Sequence, residues 1–376
     1  MKEIFGWNEI KKLAQEIKRC DAKKVLLINS KSAYYNTCAK EEFEKLQLPF
    51  VQFSGFKTNP HIEDIERAVT IYRKAQCDIV VGLGGGTAMD IAKVVSMLAP
   101  LKHPVSDYVQ KKRLLINRTV PLILIPTTAG TGSEATHFAV VYINKQKHSL
   151  AHTSLLPDVA IVDPSLTLSV PSYVTACTGM DALSHAIESY WSVRATKKSQ
   201  YYCQQAIPLI LGHLQEAVNK NTKKARVAMA KASNLAGKAI NISFTTAAHA
   251  MSYSMTSYFN VPHGLACALT LPSLLVFNTQ LAENSQLNEE RGIRYLKKTI
   301  NELIKLLSCK NAKQAEDKLK SLMRDCNLPT TLHETGIKTR NDINIIANNS
   351  FGERINNNPK VITRAFVGDL LESIRK

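Results

Sequence analysis

The chain has 376 residues, of which 45% are hydrophobic and 21% are charged, so it is long enough to bury one large core or two ordinary ones. Its first residues alternate polar with apolar, and no stretch reaches the roughly 18 apolar residues of a membrane span, so we expect neither secretion nor membrane insertion. The formal net charge is +17, but the basic residues form no long runs, which disfavours a nucleic-acid-binding protein. A positive charge of this size is still compatible with an anionic substrate.

The cysteines are scattered along the chain. Their spacing matches neither a zinc knuckle nor a disulfide framework. We therefore expect reduced thiols and a cytoplasmic location. The eight residues are Cys20, Cys38, Cys77, Cys177, Cys203, Cys267, Cys309 and Cys326.

The first half of the chain alternates short β-branched runs with helical periods. The runs at residues 24–29, 78–83 and 120–125 are apolar on both faces, as strands of a buried parallel sheet are. Helical periods at 62–75 and 89–99 separate them. This alternation predicts an open, doubly wound α/β domain over residues 1–163, of the Rossmann-like, dinucleotide-binding kind. The strand order does not follow from the sequence.

The second half is helical in period almost throughout. The clearest stretches are residues 182–192, 199–218, 224–240, 291–307, 312–326 and 361–374. They predict an all-helical domain over residues 164–376. Ligand sites are common where two such domains meet, so we expect a site there.

A glycine-rich turn follows the second predicted strand. Gly84, Gly85, Gly86 and Thr87 stand between that strand and an amphipathic helix. Without side chains, backbone amides at a helix N-terminus can approach a phosphate closely. The turn matches neither the G-x-G-x-x-G fingerprint nor a P-loop, and a tight turn that closes a βα unit is the alternative interpretation.

A second loop, at residues 126–134, follows the third predicted strand and is dense in hydroxyls and glycines. Its small side chains offer hydrogen-bond donors at the carboxyl end of a strand, near the crevice in which an open α/β sheet binds ligands and where the glycine-rich turn is also expected. A serine- and threonine-rich surface turn is the alternative.

Four residues in the second half have the character of metal ligands. Asp181 and His185 are spaced i, i+4, which places them on one helix face, and His249 and His263 follow later. One carboxylate with three imidazoles suits Fe²⁺, with Zn²⁺ as the alternative. A single buried histidine is more often structural, so the prediction depends on their joint occurrence.

These motifs resemble those of the iron-containing (group III) alcohol dehydrogenases. Residues 84–90, 126–134, 179–188 and 262–264 carry the resemblance, in family order and spacing, and it covers essentially the whole chain. It implies an architecture related to dehydroquinate synthase and an NAD(H)- or NADP(H)-dependent enzyme. It also implies a small aldehyde or alcohol substrate and a homodimer or larger homo-oligomer.

The resemblance also implies roles for individual residues. The metal ligands would be Asp181, His185, His249 and His263. The diphosphate would lie on Gly84, Gly85, Gly86 and Thr87. The nicotinamide would lie beside Thr127, Thr128 and Thr131. The remaining cofactor-binding residues would be Asn59, Asp90, Ser133 and Lys147.

Two positions depart from the family pattern. Ser30 stands where many members have an aspartate that binds the adenosine ribose, so NADPH remains open beside NADH, and Lys31 could assist a 2′-phosphate. Tyr253 stands where several members have a proton-relaying histidine. It is the remaining catalytic candidate, although a phenol titrates near pH 10, which disfavours relay.

The substrate is predicted from a resemblance that covers only a few short segments. Residues 188–192 and 53–56, with Asn59, are similar to the branch that contains phosphonoacetaldehyde reductases, and a basic chain suits a phosphonate. Packing roles for Tyr190 and Trp191 are the alternative. The rival functions are a glycerol dehydrogenase, a dehydroquinate-synthase-like enzyme and, disfavoured, a nucleic-acid-binding protein or a non-catalytic metal-storage protein.

Overall fold

The computed structural model describes residues 1–144 and 146–376, and it separates into two compact units, Met1–Val170 and Pro171–Lys376. The sequence placed this boundary between residues 163 and 164. Residues 164–170 group with the first unit because Leu166 is buried in one of its cores. The carboxylate of Asp163 also accepts hydrogen bonds from the backbone N–H groups of Asn8 and Ile10, each at 3.0 Å.

The first unit is built on a parallel sheet, as predicted. Its strands are β1 (Lys2–Phe5), β2 (Val25–Asn29), β3 (Phe50–Phe53), β4 (Ile79–Gly84), β5 (Leu122–Pro126) and, last in the chain, β8 (Val159–Val162), while β6 (Phe138–Ile143) and β7 (Gln146–Ala151) form a separate antiparallel hairpin. The strand order is β1-β8-β5-β4-β2-β3, and each neighbouring pair is parallel. The three predicted strands correspond to β2, β4 and β5, at the centre of the sheet.

Helices cover both faces of this sheet. They are α1 (Leu13–Arg19), α2 (Lys31–Tyr35), α3 (Ala39–Glu44), α4 (Ile62–Ala75), α5 (Gly86–Leu98) and α6 (Val105–Val109). Successive strand residues point to opposite faces. Leu26 and Ile28 therefore join the core that contains residues of α4 and α5, whereas Val25 and Leu27 join the core beneath α1 and α3. This arrangement confirms the doubly wound fold.

The strand order creates a switch point between β2 and β4. From β2 the chain runs outward to β3, then returns to β4 on the other side of β2. In open α/β sheets, ligands bind outside the carboxyl ends of the strands at such a point. Asn29 is paired with Leu83 in register, so Ser30 and Gly84 both lie at this edge.

The second unit is helical, as predicted. Its helices are α7 (Ser172–Trp191), α8 (Lys197–Asn219), α9 (Lys223–Ser243), α10 (Ala247–Phe259), α11 (His263–Thr279), α12 (Gly292–Leu306), α13 (Ala312–Asp325), α14 (Arg340–Asn349) and α15 (Arg364–Ser373). The last helix starts three residues later than predicted because the Thr363 side chain caps it, accepting from Phe366 N at 3.2 Å. Within the described part of the chain, the helices lack the length and apolarity to cross a membrane.

Helix α7 is central to this unit. It is buried over most of its length and contacts α8, α9, α11 and α12. Gly179 allows α8 to pack closely against α7, because a Cβ at this position would lie only 2.2 Å from Leu214 Cδ1. A helix that is buried on nearly every side must pair any charged group that it carries. Asp181 and Glu188 are such groups.

Candidate functional site

Asp181 on α7 lies at the centre of a buried polar cluster in the second unit. Its Oδ1 atom is 3.9 Å from His185 Nε2, one turn along the same helix. Helices α10 and α11 supply the other imidazoles. His249 Nε2 is 3.5 Å and His263 Nε2 is 3.8 Å from the same oxygen. The structure therefore brings all four predicted metal ligands together.

The cluster contains polar atoms that the protein does not satisfy. Asp181 and His249 are each only 2% exposed, and among the described residues Asp181 Oδ1 and His249 Nε2 have no hydrogen-bond partner. Leaving such atoms buried and unpaired costs about 1–3 kcal/mol each. A carboxylate and imidazoles whose lone pairs converge fit a divalent cation of the iron or zinc type.

A cysteine also belongs to this cluster. Asp181, His249, His263 and Cys267 each offer one donor atom, and these atoms all lie within 4.8 Å of one another. Cys267 is not among the metal ligands predicted from the sequence. Its i, i+4 spacing from His263 on α11 is the signal that could have found it.

Glu188 holds His249 in place and was also missed as a functional residue. It is fully buried on α7, and its Oε2 atom makes a short hydrogen bond with His249 Nδ1. Its Oε1 atom accepts from the Thr246 hydroxyl at 2.6 Å and from Ala248 N at 2.9 Å. With Nδ1 bonded to the carboxylate, Nε2 presents its lone pair to the cluster. Its i+7 spacing from Asp181 was a usable signal.

His263 is oriented by a second hydrogen bond. Its Nδ1 atom is 3.2 Å from the hydroxyl of Ser252, and that hydroxyl donates to the backbone carbonyl of His249 at 2.8 Å. The serine oxygen therefore accepts from Nδ1, and Nε2 is directed toward Asp181. The ring of Tyr253 stacks on that of His263, with centroids 6.0 Å apart and planes 12° apart. The predicted catalytic tyrosine thus lies beside the cluster.

Gly264 allows α11 to approach α7 at this point. A Cβ on Gly264 would lie 2.0 Å from the backbone carbonyl oxygen of Cys177 and 2.8 Å from Asp181 Cβ. No side chain fits there. The glycine after His263 therefore determines how close that imidazole comes to the carboxylate.

The electrostatics of the cluster favour a positive charge. Burial raises the pKa of Asp181, but His185, His263 and His249 lower it, and the net pKa lies below its ordinary value. Burial lowers the pKa of His249, whereas Cys267 and Glu188 raise it, and the net pKa lies well above its ordinary value. A cation that displaces the imidazole proton would supply the charge that these groups stabilise.

The glycine turn in the first unit forms a close-packed cradle. Gly84 has φ 151°, and a Cβ there would lie 2.8 Å from Ala88 Cβ. A Cβ on Gly86 would lie 2.8 Å from Thr131 Cγ2, so this turn packs directly against the second loop. Gly85 is the N-cap of α5 and gives it no side-chain cap, which leaves the first amides of the helix available.

The structure brings most of the predicted cofactor residues to this cradle. Thr127 N donates to the Gly84 carbonyl at 2.9 Å, and Asn59 N donates to the Thr87 hydroxyl at 3.2 Å. Thr128 and Ser30 lie in contact with the turn, because their Oγ atoms would each be 3.3 Å from a Cβ on Gly85 and Gly84, respectively.

The other three predicted cofactor residues are described by contacts outside the glycine turn. Asp90 Oδ1 accepts from the Ser133 hydroxyl at 2.7 Å, and Asp90 Oδ2 accepts from Val140 N at 2.9 Å. These side chains fasten the second loop and β6 to α5. Lys147 lies on β7, paired with Tyr142. Lys93, which was not predicted, is fully buried and donates to the carbonyls of Thr136 and Phe138 at 3.0 and 2.9 Å.

Together these features define a class of protein. A parallel sheet with a glycine cradle at its switch point is typical of dinucleotide binding. A buried carboxylate among three imidazoles is typical of a metal centre. A chain with both has the features of a metal-dependent enzyme that uses a dinucleotide cofactor.

The comparisons with known proteins define the family. The model of "Iron-containing alcohol dehydrogenase" matches residues 2–164, and that of "Fe-containing alcohol dehydrogenase family, C-terminal" matches residues 175–375. The chain belongs to the iron-containing alcohol dehydrogenase family.

Its relatives include several alcohol dehydrogenases. It is 38% identical to long-chain-alcohol dehydrogenase 1 of Geobacillus thermodenitrificans over 73% of this chain and 71% of that protein. It is 29% identical to the NAD-dependent methanol dehydrogenase of Bacillus methanolicus over 98% and 97%. The structure of sulfoacetaldehyde reductase from Bifidobacterium kashiwanohense, in complex with NAD⁺, matches with a TM-score of 0.87 and 28% identity, covering 100% of this chain and 96% of that one.

Proposed function

We propose that this chain uses a bound Fe²⁺ or Zn²⁺ ion and a nicotinamide cofactor to interconvert a small aldehyde and its primary alcohol. The observation that carries the proposal is the buried oxygen of Asp181, which has no hydrogen-bond partner among the described residues and lies within 4 Å of three imidazoles. The family membership supports the reaction type.

Asp181, His185, His249 and His263 would hold the metal. The metal supplies Lewis acidity toward a substrate oxygen, and the nicotinamide supplies or accepts the hydride. The chain's own part is to fix the donors. Glu188 keeps the lone pair of His249 Nε2 directed inward, and Ser252 does the same for His263.

The glycine cradle would hold the cofactor diphosphate. Gly84, Gly85 and Gly86 leave room for backbone approach, and the uncapped first turn of α5 offers amide donors to phosphate oxygens. Thr127, Thr128 and Thr131 would line the nicotinamide side. Two relatives that are named for NAD or bound to NAD⁺ favour NAD(H). Ser30 carries no negative charge that would repel the 2′-phosphate of NADPH, so NADPH is the alternative cofactor.

Tyr253 is our candidate for contact with the reacting oxygen. Its ring stacks on His263, which places it beside the proposed metal ligands. A phenol can donate a hydrogen bond to a substrate oxygen. We therefore assign it a role in holding the substrate.

We infer that the substrate is a two-carbon aldehyde with an anionic group, and specifically phosphonoacetaldehyde. The similarity to a sulfoacetaldehyde reductase and the net charge of +17 support the anionic group. The choice of a phosphonate rests on the resemblance at residues 188–192 and 53–56, with Asn59. A strongly positive protein raises the local concentration of an anionic substrate. Sulfoacetaldehyde has the same carbon skeleton and is therefore the nearest competitor.

Steady-state kinetics would test this assignment. The values of kcat/KM should be measured for phosphonoacetaldehyde, sulfoacetaldehyde and uncharged butyraldehyde, each with NADH and with NADPH. We expect the phosphonate to exceed butyraldehyde by about tenfold or more, and the advantage to shrink at high salt, because salt screens long-range attraction. Equal values for the charged and uncharged aldehydes would refute the anionic substrate, and a sulfonate preference would replace the phosphonate.

Two further features stay predictions. The family resemblance predicts a homodimer or larger homo-oligomer. The use of cysteine predicts a cytoplasmic location.

A further inference from the structure

The thiol of Cys267 lies within the group of donor atoms around Asp181. Cys267 is fully buried on α11, and its sulfur lies within 4.8 Å of the donor atoms of Asp181, His249 and His263. It follows His263 by one helical turn, so both side chains leave the same face of the helix. Asp181 and His185 use the same spacing on α7.

Two further atoms point to a ligand at this place. Asp181 Oδ1 and His249 Nε2 are buried and lack a hydrogen-bond partner within the described part of the chain, and both residues belong to the group whose donor atoms lie within 4.8 Å of the sulfur. A buried cysteine is ordinarily a small apolar residue that packs against apolar neighbours. The Cys267 sulfur instead lies within 4.8 Å of donor atoms from one carboxylate and two imidazoles, which are typical neighbours of a metal ligand.

We propose that Cys267 is a thiolate ligand of the metal, in addition to Asp181, His185, His249 and His263. This inference rests on the proposed metal site and adds a donor to it. On binding, the thiol releases its proton to solvent and a sulfur lone pair forms the bond to the cation. No oxidation state changes. A soft sulfur donor shifts the preference of the site toward Zn²⁺, relative to a site with only nitrogen and oxygen donors.

Cobalt binding to the metal-free chain tests this directly. Co²⁺ bound to a thiolate gives a sulfur-to-metal charge-transfer absorption in the near ultraviolet, whereas Co²⁺ bound only by nitrogen and oxygen gives its visible ligand-field bands alone. The wild type, Cys267→Ser, Cys267→Ala and Cys203→Ser would be compared, with bound Co²⁺ measured by equilibrium dialysis and folding by circular dichroism. Cys203 is equally buried, on α8, and controls for the loss of a core thiol.

We expect the charge-transfer band in the wild type and in Cys203→Ser, and its loss in both Cys267 variants. We also expect the Cys267 variants to bind Zn²⁺ at least about tenfold more weakly, with a smaller loss for Fe²⁺. Stoichiometric Co²⁺ binding by the wild type with ligand-field bands alone would overturn the thiolate and leave the proposed function standing. A wild type that binds no Co²⁺ would overturn both. Retention of the band in folded Cys267→Ala would also refute the inference.

Discussion

At the scale of single residues, the metal cluster depends on groups that only orient its ligands. Glu188 takes no part in the predicted ligand set, yet it is fully buried and bonded to His249 Nδ1. Burial raises the pKa of Glu188, but His249 lowers it, and the net pKa lies below its ordinary value. The carboxylate is therefore kept charged beside the imidazole.

Replacing this carboxylate should weaken metal binding. In Glu188→Gln the amide has the same size but carries no charge to fix the imidazole. We expect the metal affinity, measured by isothermal titration with Zn²⁺, to fall about 10- to 100-fold. Glu302→Gln, at a half-exposed carboxylate on α12, is the matched control and should bind as the wild type does. If both variants bound Zn²⁺ equally well, Glu188 would have no orienting role.

The sequence predicted those site residues that lie one turn apart on the same helix. Asp181 and His185 were found because i, i+4 spacing follows from the helix alone. Glu188 and Cys267 share helices with predicted ligands, at i+7 from Asp181 and i+4 from His263, but a glutamate or cysteine on a helix usually has another role. Only the convergence of α7, α10 and α11 separates these two from ordinary residues.

At the scale of elements, close contacts at glycine position the site. Gly264 lets α11 lie against α7, because the backbone oxygen of Cys177 occupies the place of a Cβ. Gly86 lets the glycine turn lie against Thr131 in the same way. Both contacts can be tested with one added methyl group.

Gly264→Ala should damage both stability and metal binding. The methyl group must push α11 from α7, and we expect a loss of about 1–3 kcal/mol in the free energy of unfolding, measured with urea. Gly212→Ala is the control, because nothing lies within 4 Å of a Cβ there, and inside α8 it should stabilise by up to about 1 kcal/mol. A Gly264→Ala variant as stable as the wild type, with full metal affinity, would contradict this packing.

Gly86→Ala should weaken cofactor binding, and a second substitution should restore it. The new methyl group meets Thr131 Cγ2, so we expect NADH affinity, followed by fluorescence titration, to fall about tenfold, equivalent to about 1.4 kcal/mol. Thr131→Ser removes that Cγ2 atom and keeps the hydroxyl. The double variant should therefore bind more tightly than Gly86→Ala alone. Purely additive losses would show that the two loops do not meet as described.

The sequence also predicted the central elements better than the peripheral ones. Strands β2, β4 and β5 are buried on both faces, so their apolar runs are continuous. Strand β1 exposes three of its four residues, β3 is only partly buried, and the β6–β7 hairpin carries polar residues on β7. These strands are partly exposed, so they lack the continuous apolar run of a strand that is buried on both faces, and β1 in addition pairs with β8, which is distant in sequence.

At the scale of the whole molecule, the proposed metal ligands belong to the second unit and the proposed cofactor cradle to the first. Ligand binding to the native state stabilises it by mass action. With Zn²⁺ at about 100 times its dissociation constant, we expect the free energy of unfolding to increase by about 2.7 kcal/mol, which is measured as a rise in the melting temperature. Asp181→Asn should lose this stabilisation by Zn²⁺ and keep the stabilisation by NADH. Equal Zn²⁺ stabilisation of both chains would place the metal elsewhere.

Anaerobic reconstitution of activity tests the central claim most directly. The metal-free chain would be titrated with Fe²⁺, and NADH oxidation by a small aldehyde would be followed by absorbance, in parallel with Asp181→Asn. We predict that wild-type activity appears in proportion to the Fe²⁺ added until one ion per chain is bound, and that Asp181→Asn stays inactive. Aldehyde reduction by the metal-free chain, or full activity of Asp181→Asn, would contradict the account.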